Sequence, residues 1–179
     1  MIIYHQCRPA ERWRKFDLLK LISVILVVLT TTCTTARSEV TATKTLFEKL
    51  EGRWKGWGWL EVTSGDRERI RCLVTYQLLD GGNKSLQKLR CASSTYLLDA
   101  TATLKNRDGV ISGTWKESNF AAEGTITGRA TKTFASIRLD GDNLNAGMSI
   151  TARGACNQSV RILPQNTDIK TMAIHLKRC

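Results

Sequence analysis

From residue 52 onward, apolar and polar residues alternate with a period of two, the spacing that puts successive side chains on opposite faces of a strand. From Gly52 to Thr63, one parity holds Trp54, Gly56, Gly58, Leu60 and Val62, and the other holds Lys55, Trp57, Trp59 and Glu61. The next run divides more sharply, with Ile70, Cys72, Val74, Tyr76 and Leu78 alternating with Arg69, Arg71 and Thr75. Ser64-Gly65-Asp66 between them is turn chemistry, so the two runs form a hairpin. The same alternation predicts strands over Leu86 to Ser93, Tyr96 to Lys105, Val110 to Glu117, Ala122 to Ala130, Thr133 to Leu139, Leu144 to Arg153 and Val160 to Leu163. Asn106-Arg107-Asp108-Gly109 and Asp140-Gly141-Asp142-Asn143 are turns between them, and Pro164 ends a strand where a missing N–H does least harm. Thr171 to Cys179, where Met172, Ile174 and Leu176 alternate with Thr171, Ala173 and His175, reads as a last strand.

A helical period precedes the strands. Leu46, Phe47 and Leu50 share one face, threonines ahead can cap it and Gly52 stops it, which predicts one short helix over Thr43 to Leu50. About nine or ten short strands at meander spacing make the chain all-β, and a meander of that length closes most naturally into a barrel because closure removes exposed edges. A two-sheet sandwich is the alternative.

The first 38 residues do not belong to this pattern. A long basic stretch leads into Leu21 to Leu29, an apolar run well short of the roughly 20 residues that span a bilayer, so residues 1–38 read as a signal peptide. Ala36-Arg37-Ser38 fits the cleavage site and leaves Glu39 as the new N-terminus of a domain over 39–179. An uncleaved anchor, or lipidation at Cys33, is the alternative, and only through such an N-terminus would the protein meet a membrane. The whole chain carries +11, and removing the segment's six basic and two acidic residues leaves about +7 on the domain. Such a surface attracts anionic envelope material, although no motif points to specific nucleic-acid recognition.

Export also changes the meaning of the cysteines. Cys72, Cys91, Cys156 and Cys179 remain in the domain, an even number without a C-x-x-C pair, and in an oxidising compartment this is disulfide arithmetic. Cys72 and Cys91 lie on consecutive predicted strands, which favours pairing 72 with 91 and 156 with 179. The expected location is periplasmic or secreted.

Gly52-Arg53-Trp54 after a short helix resembles the G-x-W opening of lipocalins and other calycins, and the resemblance implies a calycin-like barrel whose tryptophan plugs one end. The longer run to Gly58 is similar to the G-x-W-x-G-x-G opening of nitrobindin-type haem barrels. Leu89-Arg90-Cys91-Ala92, Ile111 to Glu117 and the terminal cysteine resemble a group of small exported alphaproteobacterial β-proteins with no assigned activity.

Candidate chemistry is sparse. His175, the one histidine of 39–179, is a poor basis for haem, and the cysteine spacing does not suit zinc, so no cofactor or metal is expected. No G-x-S-x-G elbow accompanies His175, and Glu61, Glu117 and Glu123 on strands are most simply solvated acids. The sequence therefore predicts a protein without catalytic activity. Strand parity singles out another feature: if Cys72 and Cys91 point inward, Arg69, Arg71, Lys88, Arg90, Trp57 and Trp59 all point outward, unless a bulge at Gly56 or Gly58 reverses the tryptophans. The expectation is a barrel that binds a small apolar or amphipathic ligand in or at its mouth, with Trp54 as end plug and Trp57 and Trp59 at the mouth or outer wall. The alternative is a module that docks on anionic envelope material through the tryptophan and cation patch.

Overall fold

The computed structural model describes residues 44–178. The signal segment with its cleavage site and Cys33, together with Cys179, lies outside the described residues. Helix α1 (Leu46–Leu50) is fixed by a capping box: Glu48 N donates to Thr45 Oγ1 at 3.3 Å, and Thr45 N donates to Glu48 Oε2 at 2.6 Å. These bonds from Thr45 hold the Glu48 carboxyl below its ordinary range. Leu46, Phe47 and Leu50 are all buried, so this short helix is held by packing more than by its own propensity.

Ten strands follow: β1 (Gly52–Val62), β2 (Arg67–Leu79), β3 (Lys84–Ala92), β4 (Leu97–Arg107), β5 (Val110–Glu117), β6 (Ala122–Ala130), β7 (Phe134–Gly141), β8 (Asn145–Arg153), β9 (Asn157–Gln165) and β10 (Ile169–Lys177). Each is antiparallel to its neighbours, and β1 pairs with β10 from Lys55↔Lys177 to Val62↔Ile169, which closes the sheet into a barrel. That seam excludes the two-sheet sandwich. The alternation located every strand. The difference is greatest in β9, which starts at Asn157 and carries Pro164 next to its last residue, because Gln158 is an inward polar residue that breaks the apolar pattern.

Turn chemistry matches the hairpins. Asp108 and Gly109 both have positive φ, 53° and 83°, as the two central residues of a type I′ turn require. At the seam the demand is different. A Cβ on Gly56 would lie 1.9 Å from the carbonyl oxygen of His175, and one on Gly58 would lie 1.9 Å from that of Ala173. The glycines of the first strand are therefore what lets β1 and β10 approach closely enough to pair.

Cys72 and Cys91 stand opposite each other on β2 and β3 and are bonded, with both sulfurs inside the barrel. Cys156 is disulfide-bonded as well, and its expected partner, Cys179, is outside the described residues. No helix among the described residues is long and apolar enough to cross a membrane.

Candidate ligand site in the barrel lumen

One end of the barrel is sealed. Trp54 is 1% exposed among Leu46, Phe47 and Leu50, and its indole Nε1 donates to the Leu50 carbonyl oxygen at 2.6 Å, tying the helix to the first strand. The Arg178 guanidinium stacks 4.8 Å from the centre of the Trp54 ring and donates to the carbonyl oxygens of Glu51 and Ala155. One side chain thus joins the end of α1, the β8–β9 turn and the end of β10. Sequence reading placed the tryptophan but missed the arginine, whose position one residue beyond the last strand carries no local signal.

Above this plug the interior is hollow, with a cavity of about 410 Å³, a size within the usual range of small-molecule pockets. Space exists because inward positions that could hold large side chains hold alanine instead: Ala100 and Ala102 on β4, Ala122 on β6 and Ala146 on β8. Large apolar residues such as Leu104, Ile126, Met148, Ile162 and Met172 complete the wall. Burial of hydrocarbon against such a wall is worth about 25 cal/mol per Å² removed from water.

Few polar groups break this surface. Tyr76 Oη donates to Gln158 Oε1 at 3.1 Å, and burial pushes the phenol pKa far up. Gln87 and Trp115 also line the cavity, but Gln87 Nε2 and Trp115 Nε1 are enclosed in the wall rather than open to it and, like Ser85 Oγ and Gln158 Nε2, make no hydrogen bond. The carboxylate of Glu117 is already engaged: Oε1 accepts from Asp99 N at 2.7 Å and Oε2 from Phe120 N at 2.6 Å, which holds the β5–β6 turn.

The cavity reaches the end opposite the plug, where Phe120, Asn143, Asn166, Thr167 and Asp168 from three loops line its rim. Two ties organise this mouth. Hydrogen bonds from Ser93, then Thr95 and Ser94, hold the Glu68 carboxyl down at about 2, fastening the β3–β4 loop to β2. In the same loop Tyr96 Oη donates to Asp168 Oδ2 on the β9–β10 loop, and this bond raises the phenol pKa to about 12. A raised phenol pKa means that the strap is complete below the ordinary tyrosine range and is lost as the pH climbs through about 12. In an absorbance titration of tyrosinate, Asp168→Ala should bring Tyr96 back to ionise near 10; an unchanged curve would show that the strap does not form in solution.

None of the residues singled out by parity lines the cavity. Trp54 sits in the plug. Trp57 and Trp59 are 45% and 43% exposed on the outer wall, the β1–β2 register running through Gly56 and Gly58 without a bulge. Arg69 stacks 4.5 Å from the Trp57 ring and Arg67 5.6 Å from the Trp59 ring, each diagonal to its partner across the hairpin. Arg71, Lys88 and Arg90 share this outer face, and Arg90 pairs with Asp99 at 3.0 Å. His175 is on it too, opposite Trp57, with Nδ1 3.2 Å from Ser159 Oγ, so it points away from any group held in the lumen.

No protein-family model matches the chain, and no curated protein matches it. Solved structures do match. An S-type phycobiliprotein lyase from Guillardia theta superposes with a TM-score of 0.53 at 9% sequence identity, over 73% of this chain and 88% of that one. Identity this low shows the fold alone, a closed antiparallel barrel of calycin type. It also corrects one expectation. The prediction of a protein without catalytic activity rested on missing motifs, and a chain of the same fold is described as a lyase; neither this architecture nor the lack of a histidine or serine motif excludes catalysis.

Proposed function

We propose that this chain is an exported protein of the cell envelope that binds a small apolar or amphipathic molecule inside the barrel, admitted at the mouth opposite the Trp54 plug. The observation that carries the reading is the cavity itself. Eight strands enclose an interior that side chains can just fill and ten enclose a wider one; here a volume of about 410 Å³ is kept open by alanines on three strands and lined almost wholly by hydrocarbon. A ligand lying along that wall would remove its own hydrocarbon and the wall's from water. Export is supported by the N-terminal segment and by the bonded Cys72 and Cys91.

Filling the cavity tests this. Ala102→Trp puts an indole at mid-height in the lumen. The variant should keep its β-sheet circular dichroism and melt at least as high as the parent, while binding of the neutral fluorophore N-phenyl-1-naphthylamine falls by about tenfold or more. Undiminished binding in a folded variant would place the ligand elsewhere.

The outer wall favours a second reading, docking on anionic envelope material through Trp57, Trp59 and the cations around them. Lys55 stands directly opposite Lys177 across the seam, like charge against like, an arrangement that an anionic partner would relieve. Attachment by this route should weaken steeply with added salt, whereas a ligand in the lumen should be almost indifferent to it.

A further inference from the structure

The charge of the domain is polarised along the barrel axis. In the half around the plug the acids are Glu48, Glu51, Asp80 and Asp108, against about a dozen lysines and arginines, whereas towards the mouth the two signs nearly balance. Every ion pair among the described residues also lies in the mouth half: Glu61 with Arg67 and Lys170, Arg90 with Asp99, Lys116 with Glu123 and Arg138 with Asp140. The plug end instead sets like against like, with Lys55 opposite Lys177 on one side and Lys84 opposite Lys105 on another. Directly opposed like charges are destabilising, and an anionic surface laid against this end would relieve them.

Apolar surface sits among these cations. Val110, 52% exposed, stands between Arg107 on β4 and Arg129 on β6, its direct neighbours across the sheet. Phe134, 41% exposed, opens β7 just after Lys132, and a hydrogen bond from Ala152 N to the Thr133 carbonyl oxygen at 2.8 Å brings the same turn beside Arg153. Asp108 is the acid of this cluster, and none of the four cations pairs with it or with any other carboxylate among the described residues. Residues 1–43 join the domain at the same end, through Lys44 and α1.

The combination narrows the partner. Cations alone suit any anionic polymer. A valine and a phenylalanine held in water beside them gain most from a partner with hydrocarbon just beneath its negative charge, which is the make-up of a lipid surface. We propose that the plug end docks the protein on an anionic lipid bilayer, Arg107, Arg129, Lys132 and Arg153 meeting the phosphates and Val110 and Phe134 entering between the headgroups, with the mouth turned to the water. This face is separate from the wall of Trp57 and Trp59 and from the lumen.

Co-sedimentation of the full chain with vesicles tests this, using phosphatidylglycerol and phosphatidylcholine in equal parts against phosphatidylcholine alone. Neutral vesicles measure what the apolar run Leu21 to Leu29 contributes, so the quantity read is the excess of anionic over neutral binding. That excess should be large at low salt and weaken steeply as salt is added. Arg107→Gln, Arg129→Gln and Lys132→Gln together should weaken it about a hundredfold, near fivefold for each charge lost at the surface. Lys116→Gln, Arg138→Gln and Arg161→Gln, the same change of net charge in the mouth half, should weaken it less than about threefold, because salt screens charges held away from the bilayer. Phe134→Ser should weaken vesicle binding about fivefold and leave any binding to heparin, an anionic glycan without hydrocarbon, as it was. All these side chains are exposed, and circular dichroism with melting checks that each variant keeps the parent fold. No excess for anionic vesicles, or equal losses in the two triple variants, would overturn the proposal. So would an excess that Trp57→Ala with Trp59→Ala removes and the plug-end variant keeps, or one that Phe134→Ser leaves untouched. None of these results touches the lumen reading, which fluorophore binding in the absence of vesicles decides.

Discussion

Gly58→Ala is expected to cost the domain about 4 kcal/mol or more, the range reserved for changes that a structure cannot absorb. The added methyl carbon would sit 1.9 Å from the Ala173 carbonyl oxygen, 2.7 Å from the Ile174 Cα and 2.8 Å from the Ala173 carbonyl carbon. Every one of these atoms is backbone, so no side-chain rotation relieves the contact. The two strands must separate, and the pairs from Lys55↔Lys177 onward are what close the barrel. Gly147→Ala is the control: nothing lies within 4 Å of its Cβ position, and the change should stay within about 0.5 kcal/mol. Urea unfolding of the two variants beside the parent makes the comparison, and a Gly58→Ala protein as stable as the parent would mean that the seam is not built this way.

Replacing Cys72 and Cys91 together by alanine should cost about 3 kcal/mol by the chain-entropy argument. The bridge closes a 19-residue separation, and it does so inside the wall, where both sulfurs are buried against the core. Loss of the cross-link frees the unfolded chain, and the smaller side chains leave a gap between β2 and β3. Melting should fall by on the order of 10 °C for a domain of this size. Since β3 carries Leu89, which lines the cavity, ligand affinity should weaken in the same variant as the strand loosens. Melting unchanged by the double replacement would contradict a structural role for this bridge.

The architecture was largely legible because the barrel has one dry face and one wet face, and a period of two records that directly. Ile70, Cys72, Val74 and Tyr76 could belong on no face but the inner one, and their parity carried Trp57 and Trp59 outward with the arginines. The same alternation fits a sandwich, so closure needed the β1–β10 pairing itself, which is a contact between the two ends of the domain. The cavity was not legible. A hollow depends on which small residues the closed sheet brings to one cavity from strands far apart in sequence, and Ala102, Ala122 and Ala146 look individually like ordinary strand residues. Gln87 was within reach, since it shares the inward parity of Leu89 and Cys91, and a polar residue on that parity is a signal. Outward-facing tryptophans drew the reading instead, because exposed aromatic area is the more conspicuous feature of a sequence.

The lumen can be tested directly by fluorine NMR of the protein labelled with 5-fluorotryptophan, titrated with N-phenyl-1-naphthylamine, each resonance assigned by tryptophan-to-phenylalanine substitution. Trp54, Trp57, Trp59 and Trp115 report on the plug, the outer wall and the lumen separately. Binding in the lumen should move the Trp115 resonance and leave Trp57 and Trp59 where they are. Movement of Trp57 and Trp59 with Trp115 fixed, or no movement at saturating fluorophore, would contradict it.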